Sequence, residues 1–312
     1  MFSYQLYGLN IHSDFCLPVI IKEGDKKDFY IQKDRVKSPE LEATSIHRQG
    51  IQAFFGGSTQ EAYLRWAGIA TILAQDGSTL TVNPESDEID SQLLNVYILS
   101  EALGLILYQK GLFLLHASAV KMGNQVVILA GPPGAGKSTT AAAFAKCGYT
   151  VLADDMVAIS LDTSGKPMVY PAFPQIKIWP SAVKGLGYDL STLPPLFPGS
   201  RKRVIRQARN FPTEPFPVVR IFILEEGTEL KMTPLEGAAA FFSLARFFPL
   251  PSALLQGVAL EHHFQQCVQL ARDVEIWKVE NPKNFGTLKT LVRWVEGELE
   301  KAQAKDKMLC SI

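Results

Sequence analysis

The chain has 312 residues, 47% apolar and 20% charged, with 31 Lys plus Arg against 31 Asp plus Glu. This excludes a disordered chain and predicts one large domain or two smaller ones around a sizeable core. Zero net charge supplies no global attraction to nucleic acid or an anionic membrane, and neither is expected as a partner. MFSYQLYGLNIHSDF has no basic start ahead of an apolar run, and Leu93–Val120 is interrupted by Glu101, Gln109, Lys110 and His116, so neither a signal peptide nor a membrane span is expected. Cys16, Cys147, Cys267 and Cys310 make no CxxC pair, which disfavours a zinc site or disulfide framework. The expectation is a soluble, cytoplasmic protein.

Residues 1–85 read as a mostly-β domain. Strands are predicted at Phe2–Ile11, Asp28–Val36, Gly50–Phe55, Ala62–Ile69 and Thr79–Val82, with turns at Gly24-Asp25, Ser38-Pro39, Gly56-Gly57 and Asp76-Gly77. Asp76-Gly77 between ATILAQ and STLTV is a hairpin signal. A domain boundary at 85/86 precedes a helix over Asp87–Lys110, apolar on most sides and stopped by Gly111. Strands Leu112–Val120 and Gln125–Leu129 follow, then a glycine-rich loop, a helix Lys137–Cys147 and a strand Tyr149–Ala153. A β-hairpin is predicted from Met156–Leu161 and Met168–Trp179 around Thr163–Pro167. The Pro-rich, basic stretch 180–217 precedes a strand Val218–Leu224, helices at about 234–247 and 252–271, a strand Val274–Val279, a helix over 285–303 and a frayed tail.

Gly131-Pro132-Pro133-Gly134-Ala135-Gly136-Lys137-Ser138 fits G-x-x-x-x-G-K-S between an apolar strand and a helix. Glycines let backbone N–H groups turn toward phosphate oxygens, and the helix places its positive end beneath them. A nucleotide would be held by Gly131, Pro132, Pro133, Gly134, Ala135, Gly136, Lys137, Ser138 and Thr139. Lys137 would reach the β- and γ-phosphates and Ser138 would join a Mg²⁺ shell, so ATP and Mg²⁺ are the expected cofactors. The alternative is a Gly-Pro turn without a ligand. No LSGGQ or NKxD segment occurs, which weakens ABC-type ATPase and GTPase readings.

Asp154 and Asp155 close the strand after the loop helix, and the chain is expected to return beside the loop strand there. Two adjacent carboxylates would raise one pKa, and Mg²⁺ would let both ionise. One could hold metal-bound water while the other accepts a hydroxyl proton, the alternative being a solvated turn at the strand end. His116, in LFLLHASAV, reads from the residues alone as a hydrogen-bonded core histidine. His262 and His263 read as surface residues. Arg201, Lys202, Arg203, Arg206 and Arg209 lie in a stretch without acids; they could stabilise a migrating phosphoryl group, recognise an acidic peptide, or form a solvated basic loop. Lys177 is a weaker candidate.

His116, GPPGAGKS and the LADD segment ending in Asp155 resemble the catalytic core of the HPr kinase/phosphorylase family. The resemblance implies an α/β fold: a P-loop kinase domain with a mixed sheet, similar to phosphoenolpyruvate carboxykinase, over residues 86–312, behind the smaller mostly-β domain. It implies phosphorylation of a protein serine, with Asp155 as catalytic base, Lys137 on phosphate, Ser138 and Asp154 at the metal and His116 in the active site. The family's further Mg²⁺-binding Glu precedes Arg-Gly-Leu-Gly; here Lys184-Gly185-Leu186-Gly187 stands, with Ala182 at the position of the Glu. YGLNIHSDFCLPV and PQIKIWP are closer to divergent HPr kinase-like proteins, some of which phosphorylate a precursor peptide. The leading expectation is an ATP/Mg²⁺-dependent kinase acting on a peptide or small protein, with a homo-oligomer left open. The alternatives are a small-molecule hydroxyl kinase and a nucleotide-gated binding module without transfer. Residues 1–130 carry 10 basic against 14 acidic side chains and residues 131–312 carry 21 against 17, so the positive half holds the loop.

Overall fold

The computed structural model describes residues 1–19, 27–161 and 166–309, with backbone alone from 302 onward. The expected turn at Gly24-Asp25, most of the Thr163–Pro167 turn and Cys310 lie outside the described residues. The first segment is a hairpin rather than one strand. Tyr7 and Gly8 take φ of 52° and 74°, the geometry of a two-residue I′ turn, and fold β1 (Phe2–Leu6) back on β2 (Leu9–Ser13). Next come β3 (Phe29–Lys33), β4 (Glu42–Arg48), β5 (Ile51–Gly57), β6 (Glu61–Trp66), β7 (Ala70–Gln75) and β8 (Thr79–Pro84). They form an eight-stranded mixed sheet among the described residues, ordered β1-β2-β3-β8-β7-β6-β5-β4, in which β2-β3 and β3-β8 are parallel. The expected strand Ala62–Ile69 stops at Trp66, where Gly68 turns the chain at φ 74° into β7. Asp76 and Gly77, at φ 49° and 63°, join β7 to β8 as the expected hairpin.

The apolar helix starts at α1 (Ser91–Tyr97), with the Asp90 carboxylate accepting from Leu93 N–H as its cap. It is not continuous as predicted. Leu99 and Ser100 leave helical geometry before α2 (Leu103–Gln109), and Gly111 ends it at φ 82°. Ser91–Gln109 is apolar enough in composition to cross a membrane, yet 78% of its most apolar window is buried inside the fold. Tyr97 meets Trp66 edge to face at 5.1 Å, fixing the helix to the first sheet. One apolar cluster runs from Tyr4 and Trp66 through Tyr97 and Leu105 to Leu115, Ile128 and Leu270.

A second mixed sheet carries the rest. The predicted strand Leu112–Val120 divides into β9 (Phe113–Leu115) and β10 (Ala117–Met122), because the His116 N–H leaves the ladder for the Phe247 carbonyl, 2.8 Å away. β11 (Gln125–Ala130) leads through the glycine-rich loop into α3 (Lys137–Lys146), then β12 (Thr150–Ala153), β13 (Val157–Ser160) and β14 (Met168–Val169). β13 and β14 pair as the predicted hairpin, but Pro171 and Pro174 offer no N–H and end its second strand early. The chain resumes as β15 (Gln175–Ile178), α4 (Pro180–Gly185) and β16 (Arg203–Arg206), and β15 pairs with β16 as a separate ribbon, so part of the basic stretch is strand. β17 (Phe216–Glu226) is followed by β18 (Lys231–Leu235), where a helix start was predicted. Its Pro234 is tolerated because β18 is an edge strand, paired only with β19 among the described residues. α5 (Gly237–Ala245), α6 (Gly257–Asp273), β19 (Glu275–Asn281) and α7 (Phe285–Leu309) follow, with α7 running into the segment expected to fray as far as Leu309.

The sheet order is β12-β10-β11-β17-β14-β13-β9, with β19 beside β17. Because β9 runs into β10 and β12 into β13, the pairing path returns on itself. α3 and α7 cover one face through a second cluster that includes Phe144, Leu129, Phe222 and Leu291.

Candidate active site

The loop between β11 and α3 is held open by its glycines. Gly131 takes φ 151°, and a Cβ there would lie 2.5 Å from the Leu224 carbonyl oxygen, so only glycine lets the loop pass β17. Gly136 precedes α3 at φ 93° and caps it with no side chain. The first-turn N–H groups of α3 are thus free of side-chain caps. Lys137 folds back over the loop, its ammonium donating to the carbonyls of Gly131 at 2.7 Å and Pro132 at 3.2 Å. Burial brings its pKa down to about 8, against the pull of Asp155 and Asp154.

The two carboxylates sit where the second sheet's ladder opens. β10 pairs with β12 as far as Ala119 and Ala153, and β9 pairs with β13 from Leu115 and Val157. Between those pairs the ladder skips His116–Ser118 and Asp154–Met156, which frees His116, Asp154 and Asp155 for the site while Ala117 and Ser118 stay paired with β11. β12 therefore lies beside β10 and not, as predicted, beside the loop strand β11. The carboxylates still reach the loop. Asp154 is 5% exposed. Its Oδ1 accepts from Ser138 Oγ at 2.9 Å and Ser118 Oγ at 2.7 Å, and its Oδ2 from Lys177 N–H at 2.9 Å. Burial and the neighbouring Asp155 push its carboxyl up.

Asp155 has φ 73°, a left-handed conformation disfavoured for a non-glycine residue. That turn sends its carboxylate to Lys177 Nζ at 2.8 Å and Arg48 Nη1 at 3.7 Å, while its carbonyl accepts from His116 Nδ1 at 3.0 Å. Burial alone would raise Asp155, but Lys177, Arg48, Lys202 and His116 outweigh it and hold the carboxyl well below its usual range. Burial, with Lys137 and Arg48 nearby, lowers His116. A carbonyl only accepts, so the neutral ring carries its proton on Nδ1 and a lone pair on Nε2. His116 is thus part of the carboxylate site, not the detached core histidine that its apolar strand suggested.

Arg48 escaped the sequence reading. It closes β4 and grips Glu101 in two 2.7 Å bonds, Nε to Oε2 and Nη2 to Oε1. Glu101 lies in the interrupted turn between α1 and α2, so the helix holds Arg48 in place and the first sheet brings the Arg48 charge to Asp155. The only hints were the alternation of Thr44, Ile46 and Arg48 on one face of a strand, and an acid inside an apolar helix.

A cleft of about 590 Å³ is lined by Pro133, Gly134, Gly136, Lys137, Ser138, Thr139, His116, Asp155, Lys177, Arg48, Lys202 and Arg246. Gly131 and Pro132 supply the carbonyls under Lys137, and Ala135 packs beside Gly131. The basic residues disperse. Lys202 faces this cleft, Arg201 lies over Trp179, Arg203 donates to the Ser200 carbonyl, and Arg206 lines a different cleft beside Pro194. Ala182 is buried in α4. His262 is exposed as predicted, but His263 is buried and stacked on Phe113; its place on α6 with Gln266, Cys267 and Leu270 at helical spacing marks the inward face.

Among the described residues no cluster of three His, Cys, Asp or Glu side chains could hold a metal. The Ser138 hydroxyl and the Asp154 carboxylate, already 2.9 Å apart, are the oxygen donors that Mg²⁺ takes together with phosphate and water, so this pair fits it.

No protein-family model matches the sequence, and no curated protein matches it. Among solved structures the chain is similar to the Hpr(Ser) kinase/phosphatase from Coxiella burnetii, with 11% identity and a TM-score of 0.32 over 62% of this chain and 97% of that one.

Proposed function

We propose that the chain is an ATP- and Mg²⁺-dependent kinase that transfers the γ-phosphate to a serine hydroxyl of a peptide or small protein. The observation that carries this reading is the meeting in one cleft of the Gly131–Ser138 loop with an Asp155 carboxylate anchored by Lys177 and Arg48. Lys137 would exchange its two carbonyl partners for β- and γ-phosphate oxygens, and the free N–H groups of α3 would face the same charge. Ser138 and Asp154 would hold Mg²⁺, which supplies charge neutralisation at the phosphates. The serine oxygen forms a bond to the γ-phosphorus while its proton passes to the Asp155 carboxylate. The bond to the β,γ-bridging oxygen breaks, and ADP leaves with the electron pair. Lys177 and Arg48 keep Asp155 ionised and aimed, and His116, bonded through Nδ1 to the Asp155 carbonyl, lines the same cleft.

Within this proposal residues 1–85 form a mostly-β domain that contributes Arg48, residues 86–312 form the kinase domain, and the protein works in the cytoplasm. The test is Asp155→Asn. Base catalysis is worth about 10²–10⁴-fold, so the variant should bind ATP as the wild type does and lose at least about a hundredfold in labelled phosphate transfer to serine. Transfer that survives in Asp155→Asn would overturn the reading, as would wild-type label found only in free phosphate.

A further inference from the structure

Trp179 is 49% exposed, although it directly follows the strand that carries Lys177. It continues that strand in extended conformation, at φ −77° and ψ 150°. Side chains two apart share a face, so Lys177 and Trp179 point to the same side, about 7 Å apart along the chain. Lys177 holds Asp155; Trp179 stands one step outward. The Arg201 guanidinium and the Lys202 ammonium lie over its ring, 5.9 and 5.3 Å from the centroid. On this side opens a second cleft of about 640 Å³ that shares Gln49, Trp179 and Lys202 with the cleft around Lys137 and Asp155. Ile51, Leu93 and Phe197 give it an apolar lining, and no acidic side chain lines it among the described residues.

We infer that this second cleft receives the acceptor segment, and that the segment is a peptide with an apolar or aromatic side chain about two residues from the reacting serine and Asp or Glu beside it. The inference rests on the kinase reading above. The spacing comes from the geometry: an extended peptide advances about 3.3 Å per residue, so the 7 Å from Lys177 to Trp179 corresponds to about two residues of acceptor. An aromatic acceptor side chain would share the Trp179 face, and neighbouring carboxylates would meet Arg201 and Lys202. Ile51, Leu93 and Phe197 offer burial to an aliphatic or aromatic side chain of a peptide, and this carries the choice of a peptide as occupant.

The experiment uses the full chain, a non-hydrolysable ATP analogue and two labelled serine peptides of equal length. One carries Phe two residues from the serine followed by Asp-Glu; the other carries Gly and Lys-Lys at those positions. Binding is read by anisotropy, and phosphate transfer from ATP is followed in parallel. The acidic, Phe-containing peptide should bind at least about tenfold more tightly. Trp179→Ala should remove that advantage, and Arg201→Glu should move the preference toward the Lys-Lys peptide, both variants having first shown an unchanged thermal melt. Equal affinity for the two peptides, binding of neither, or a preference that Arg201→Glu leaves in place overturns the acceptor cleft. Selective binding without transfer keeps the cleft and overturns the kinase; transfer without selectivity does the reverse.

Discussion

Replacing Arg48 by Met isolates the fastening of the first sheet to the active site. Arg48 and Glu101 form a bidentate pair whose side chains are 15% and 9% exposed. Removing one partner of a buried pair strands the other charge, which costs about 3–5 kcal/mol. Unfolding entropy of about 2.1 cal/mol/K per residue over 312 residues makes that a loss of about 5–8 °C in melting temperature. The double variant Arg48→Met/Glu101→Leu should regain most of it, because an apolar pair of similar volume leaves no stranded charge. The pH dependence has a definite sign. Glu101 has a lowered carboxyl in the folded chain, with burial raising it and Arg48 overcoming that. Its contribution is therefore present above the unfolded carboxyl value of about 4.3 and fades as pH falls through the lowered folded value. The gap between wild type and Arg48→Met should shrink in acid. Thermal melts of wild type, both single variants and the double variant at neutral and acid pH read all of this. An Arg48→Met melt within about 1 °C of wild type at neutral pH would show that no charge is stranded at Glu101.

Gly131→Ala should weaken nucleotide binding measured by calorimetry while leaving the fold intact: its Cβ would meet the Leu224 carbonyl at 2.5 Å in backbone that itself costs about 1–3 kcal/mol for a side chain. Lys137, brought down to about 8 by burial, destabilises the nucleotide-free chain below that pH. The penalty is relieved as pH rises from about 8 toward the unfolded value of about 10.4. Phosphates should raise Lys137 again, so ATP binding near pH 8 should take up a proton, seen as a buffer-dependent binding enthalpy that Lys137→Met abolishes. Lys177→Met removes the strongest charge holding Asp155 down; the acid limb of the transfer rate should move to higher pH, and an unmoved limb would assign it to another group.

The loop was legible because its chemistry is local: eight consecutive residues between a strand and a helix carry the glycine conformations and the lysine together. The Asp154-Asp155 pair was legible for the same reason, since the residues just past a strand end leave its ladder and are free to face a site. Of their partners, Ser138 and, as a weaker candidate, Lys177 stood out in the sequence, while Ser118 and Arg48 did not. Ser118, Lys177, Arg48 and Glu101 reach the site from four separate elements, and only the broken ladder at His116 and the return of β15 bring them within bonding distance. The basic run looked like one patch, yet β16 alternates its side chains, sending Arg203 and Arg206 apart, while of Arg201, Lys202, Arg203, Arg206 and Arg209 only Lys202 lines the loop cleft. Tyr7-Gly8 hid a turn because tyrosine carries no turn signal, although glycine at the second position permits the I′ geometry.

In the proposed reaction the loop and Asp155 together move a phosphoryl group onto serine. The most direct measurement supplies γ-labelled ATP and Mg²⁺ to the wild type and to Asp155→Asn with a cell extract, and then identifies the labelled species. The wild type should yield phosphoserine in a peptide or small protein, and a variant that still binds ATP should lose it. Label confined to free phosphate, or equal phosphoserine from both proteins, would contradict that reaction.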